Sequence, residues 1–129
     1  MLEAYSLSVS VTPDNAIPFN STTINKGCAE VLASTDTVEL NSRGVYLVGF
    51  DSSLATATTV QLFKDGVAQP QAQSTGTTPN FCTLVQVGRN NCGCCCSSPV
   101  RIQIKNVGSA AFDFVDAHIV VVKLPCDRG

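Results

Sequence analysis

The chain has 129 residues, a formal net charge of −2 and a charged fraction of 14%, against roughly 25% in ordinary domains. That length admits one domain, and a hydrophobic content of 44% excludes a disordered chain. Lys26, Arg43, Lys64, Arg89, Arg101, Lys105, Lys123 and Arg128 stand singly, so the clustered cations that nucleic-acid binding needs are missing. No apolar run approaches the length of a membrane span, and no basic segment leads into an apolar one near Met1. Neither a membrane partner nor a secretory signal is therefore expected. With so few charges, neutral surface must be exposed or covered by a partner subunit.

Period two, not period 3.6, organises the chain from its start. Tyr5, Leu7, Val9 and Val11 alternate with Ala4, Ser6, Ser8 and Ser10 and read as a half-buried strand. Pro13-Asp14-Asn15 turns the chain, Ile17-Pro18-Phe19 is a short extended piece, and Asn25-Lys26-Gly27 turns again. Residues 28–33 and 37–40 read as short strands. Val45 to Phe50 is apolar on both faces, as a central sandwich strand would be. Thr58 to Lys64 is the next strand, and Asp65-Gly66 marks a tight hairpin into Val67-Ala68-Gln69. The polar stretch 71–80 reads as a loop, 81–87 as a strand, and 88–99 as a loop carrying cysteines. Val100, Ile102 and Ile104 alternate cleanly with Arg101, Gln103 and Lys105. Phe112 to Leu124 forms a long last strand, stopped by Pro125. About eight to ten short strands without helical alternation predict an all-β antiparallel sandwich. Its core is expected over about residues 3–124, with 125–129 as a tail, in one domain spanning 1–129.

Cys92-Gly93-Cys94-Cys95-Cys96 is the most unusual local feature. Cys92 and Cys95 have the C-x-x-C spacing that suits zinc, but no second pair exists. Cys82 or Cys126 could complete a set only through the fold. Interchain sharing of a metal, interchain disulfides, or a plain loop of reduced thiols are the alternatives for Cys92, Cys94, Cys95 and Cys96. His118, the only histidine, reads either as a packed, hydrogen-bonded residue or as a pH-sensitive contact between subunits. Asp113 and Asp116 fall on opposite faces of one strand and do not make a carboxylate pair. No catalytic residue, cofactor or nucleophile motif is recognised, so the chain is expected not to be an enzyme. Asn20-Ser21-Thr22 matches a glycosylation sequon and reads as a polar turn.

Ile17-Pro18-Phe19, Gly44-Val45-Tyr46-Leu47-Val48 with Phe50, Val60 to Gly66, and Ile119 to Val122 follow one another in an order that resembles a known series. It is the globular-head superfamily of tumour necrosis factor and the collagen-tailed complement proteins. The bacterial and phage branch is most similar, including exosporium glycoprotein heads and phage capsid decoration or head-fibre proteins. The resemblance covers about residues 3–124. It implies a TNF-like jelly roll of about ten strands that assembles as a homotrimer without cofactor or catalytic residues. In such trimers inner-sheet aromatics pack along the threefold axis. Tyr46 and Phe114 are expected there, and His118 at the same interface. The expected role is a structural virion protein, assembled in the host cytoplasm as part of a capsid. The alternative is a spore- or cell-surface head that binds a glycan or protein. Attachment is expected through the segment 1–5, with the loops 71–80 and 88–99 outward.

Overall fold

The computed structural model describes residues 2–25, 29–31, 36–42, 44–87, 95–108 and 112–124. Among the described residues ten strands run in chain order: β1 Leu2–Val11, β2 Ser21–Asn25, β3 Ala29–Val31, β4 Val38–Ser42, β5 Gly44–Leu54, β6 Thr58–Lys64, β7 Val67–Gly76, β8 Asn80–Val87, β9 Cys95–Asn106 and β10 Phe112–Lys123. They form two five-stranded sheets. Sheet A has the order β2-β1-β10-β5-β8 and sheet B the order β3-β4-β9-β6-β7. Every described pairing is antiparallel. This is the antiparallel sandwich expected from the period-two pattern, with the ten strands that the resemblance to jelly-roll heads implies.

The core lies between the sheets. Sheet A contributes Leu2, Ala4, Tyr46, Val48, Val85, Ile119 and Val121, and sheet B contributes Val38, Leu40, Val60, Leu62, Ile102 and Ile104. Each fully buried aliphatic side chain stabilises the fold by about 1.5–3 kcal/mol. The segment 12–20 leaves sheet A and lies along the end of β9, where Ile17 N–H donates to the Ile104 carbonyl at 2.8 Å. Ile17 and Phe19 thereby plug the core. Ser6 fixes this path: its hydroxyl donates to the Pro18 carbonyl and accepts from Asn20 N–H. Asn106 is wholly buried and ties the start of the same segment to the end of β9. Its amide donates to the Val11 carbonyl at 3.1 Å, and its side-chain oxygen accepts from Gly108 N–H at 2.8 Å.

Asp65 and Gly66 take φ values of 50° and 82°, the two positive angles a type I′ hairpin demands. The hairpin expected at these residues therefore forms. Other expectations are corrected. The polar stretch 71–80 is not a loop, because β7 continues to Gly76 and β8 starts at Asn80. β7 is an edge strand with water on most sides, so its polarity does not alternate. Residues 2–5, where attachment is expected, lie in β1, which is hydrogen-bonded between β2 and β10. Phe114 lies on β10 at the register position opposite Val9 and Leu54. Cys92 and Cys94 lie outside the described residues, as do Cys28 and Cys126. Cys95 and Cys96 are described only as the start of β9.

Candidate interaction face

The period-two pattern of β1 is present, but its small side turns inward. Leu2, Ala4 and Ser6 are buried, whereas Leu7 is 65% exposed and Tyr5 is half-buried. The same holds on β10, where Ala117, Ile119 and Val121 fill the core while His118, Val120 and Val122 look outward. β5 sends Tyr46, Val48 and Phe50 inward and Val45, Leu47, Gly49 and Asp51 outward. Tyr46 is thus corrected as an interface contact. It is 1% exposed inside its own chain and has no surface to offer a neighbour.

Strand register arranges the outer face of sheet A in rows. Leu7, Asp116 and Ser53 form one; Tyr5, His118, Asp51 and Asn80 the next; then Glu3, Val120, Gly49 and Cys82; then Val122, Leu47 and Leu84. One end of the face carries charge and the other is aliphatic. At the charged end His118 Nε2 lies 3.4 Å from Glu3 Oε2, and His118 Nδ1 lies 3.8 Å from Asp51 Oδ1. Asp116 sits two residues before His118 on the same strand.

Gly49 makes a notch in the middle of this face. A Cβ built there would meet no atom within 4 Å. The notch opens into a shallow cavity of about 610 Å³, lined by Asp51, Asn80, Phe81, Cys82, Asp116 and His118 among others. Phe81 stacks on Phe50 with centroids 5.5 Å apart, and Phe50 meets Phe19 edge-on at 6.4 Å. The cavity wall is thereby braced from the core. Cys82 is an exposed free thiol on the rim. Leu84 protrudes one row from the notch at 56% exposure, and Leu7 stands at the far corner of the face at 65%. Among the described residues no group of three or more His, Cys, Asp or Glu side chains is placed to hold a metal ion.

No family sequence model matches the chain, and no curated protein matches it by sequence. Solved structures do match. The globular domain of zebrafish complement 1qA protein superposes with a TM-score of 0.69 at 9% identity, covering 98% of both chains. Rabbit GITRL superposes with a TM-score of 0.57 at 12% identity, covering 99% of this chain and 98% of that one. At such identities the likeness establishes the fold: this chain is an all-β jelly roll of the complement-head and TNF-like type.

Proposed function

We propose that the chain is a non-enzymatic head module that associates with two further copies of itself through the outer face of sheet A. The observation that carries this is the aliphatic character of a face against which no other described strand packs. Tyr5, Leu7, Val45, Leu47, Leu84, Val120 and Val122 all stand on it. Contiguous exposed apolar surface of this kind marks an interaction site. The occupant is a further copy because the face carries both protrusions, Leu7 and Leu84, and a receptor, the Gly49 notch. Surface with both can fit its own kind. The resemblance to trimeric heads supports three copies.

In this role the trimer is a structural subunit of a virion, a capsid decoration or head-fibre protein assembled in the host cytoplasm. The cavity beside Asp51, Asn80 and His118 supports a second reading, a head on a spore or cell surface in which this face is left uncovered and holds a glycan or protein partner in place of further copies. Light scattering on the purified chain, with and without reductant and chelator, tests the assembly. A mass near three chains in all conditions supports packing through sheet A. Dissociation by reductant or chelator would shift the role to the cysteines, and a monomer throughout would overturn the proposal. Antibody labelling separates the placements: virion heads for the first, spore or cell surface for the second.

A further inference from the structure

We infer that the cavity at the charged end of this face is a binding site for a neutral saccharide. The inference rests on the second reading above, the face left uncovered, and names its ligand class. A saccharide and a further copy are alternative occupants of the same surface.

The walls of the cavity are fixed before any ligand arrives. The connection 77–79 is tied to β5 twice. Leu54 N–H donates to the Thr77 carbonyl at 2.7 Å, and the buried Ser52 hydroxyl donates to the Pro79 carbonyl at 3.0 Å. Asn80 opens β8 directly after it. Its backbone N–H donates to the Ser74 hydroxyl at 3.1 Å, and its side-chain nitrogen donates to the Thr78 carbonyl at 2.9 Å. The amide is thereby held in one orientation, with its oxygen left as an acceptor. The Phe50–Phe81 stack backs the same wall. Polar groups already in place lose little freedom on binding.

The lining selects the chemistry. Asp51 and Asp116 offer carboxylate oxygens, Asn80 an amide oxygen, and Ser53 and Thr78 hydroxyls that both donate and accept. The matching ligand carries many donors and some acceptors. The described lining holds no lysine or arginine, so a phosphate, sulfate or carboxylate would meet like charge. A lone ammonium would engage the carboxylates and leave the amide and both hydroxyls unused. Its attraction to Asp51, whose side chain is 68% exposed, would also be screened by water. Hydroxyls arrayed on a ring satisfy the whole set. The floor suits the ring itself. At Gly49 a Cβ would meet no described atom within 4 Å, so the C–H face of a pyranose can settle there beside Val120. The volume of about 610 Å³ lies within the roughly 300–1,000 Å³ that small-molecule sites occupy.

Titration of the full chain with the methyl glycosides of glucose, galactose, mannose and N-acetylglucosamine, read by calorimetry and by amide NMR shifts, tests the site. Galacturonic acid and putrescine serve as anionic and cationic counterparts. At least one neutral glycoside is expected to bind with millimolar affinity and to shift amides in 49–53, 78–82 and 116–120. Galacturonic acid should bind about tenfold more weakly or worse. Asn80→Ala should weaken binding about tenfold, and Asp116→Asn, which keeps an acceptor, by less. Gly49→Val fills the floor and should abolish binding while circular dichroism stays native. Binding of putrescine alone, or full affinity in both Gly49→Val and Asn80→Ala, would overturn the saccharide site. Light scattering of the same samples separates the remaining failures. A single-copy mass with no glycoside bound overturns the saccharide alone and leaves the face uncovered. A three-chain mass with no glycoside bound overturns the uncovered face as well.

Discussion

The two outer faces of the sandwich are built from equal numbers of strands and have opposite characters. On sheet B the outward side chains satisfy one another. Arg101 Nε bonds Glu39 at 3.1 Å, the Thr59 and Thr75 hydroxyls meet at 2.7 Å, Gln103 donates to Thr37, and Lys105 lies over the Phe63 ring at 4.7 Å. That face is finished in water. On sheet A the corresponding positions are Tyr5, Leu7, Val45, Leu47, Leu84, Val120 and Val122 around an open notch. The difference teaches that exposed aliphatic side chains are gathered mainly on sheet A, beside the charged group of Glu3, Asp51 and His118, and are not spread evenly over both faces.

The sharpest way to break this contrast is to place a charge in the aliphatic end of sheet A. Leu84→Glu is expected to weaken association about a thousandfold, roughly 4 kcal/mol, because a carboxylate would be buried without a partner. Circular dichroism should remain native, since Leu84 is 56% exposed in the single chain. A corner shared by both sheets gives the next effect. Asn106→Ala leaves the Val11 carbonyl and Gly108 N–H without their partner and should lower stability to urea by on the order of 3 kcal/mol. The association constant of the folded fraction should not change.

Gly49→Val is subtler, because it pulls the two properties apart. A Cβ at this position has no described atom within 4 Å, and replacing a strand glycine should raise stability by about 0.5–1 kcal/mol. The filled notch should nevertheless weaken association, which a thermal melt and a sedimentation run on one sample would reveal together. Gln73→Glu, exposed on β7 of sheet B, should alter neither property. A loss of association there, with none from Leu84→Glu, would assign the interface to the wrong side of the molecule.

Much of the fold was legible because its determinants are local. Alternation along Val100–Lys105, the doubly apolar run Val45–Phe50 and the Asp65-Gly66 turn each report their own geometry. β2, Ser21–Asn25, was not legible, since a short polar edge strand has no apolar side to announce it. β7 hid its length for the same reason. The facing of β1 was misleading in an informative way. Alternation marks which side of a strand avoids water, and it does not distinguish a core from an interface. His118 stood out as the only histidine, but its partners did not. Glu3 and Asp51 reach it only through the register of β1 and β5 on β10, which depends on the whole sheet. The Gly49 notch was hidden inside an apolar run, where a glycine looks like a mere interruption.

β1 and β10, nearly the two ends of the described chain, are neighbours in the interior of sheet A, paired from Leu2 with Val121 to Val11 with Phe112. Such pairing across almost the full sequence is slow to form. It also means that Val120 and Val122 join Tyr5, Leu7 and Leu47 only after the last strand has left the ribosome. A chain broken off before Phe112 has no centre to sheet A. The proposed self-association therefore requires β10 in place, and fragments that stop short of it are excluded by the topology itself.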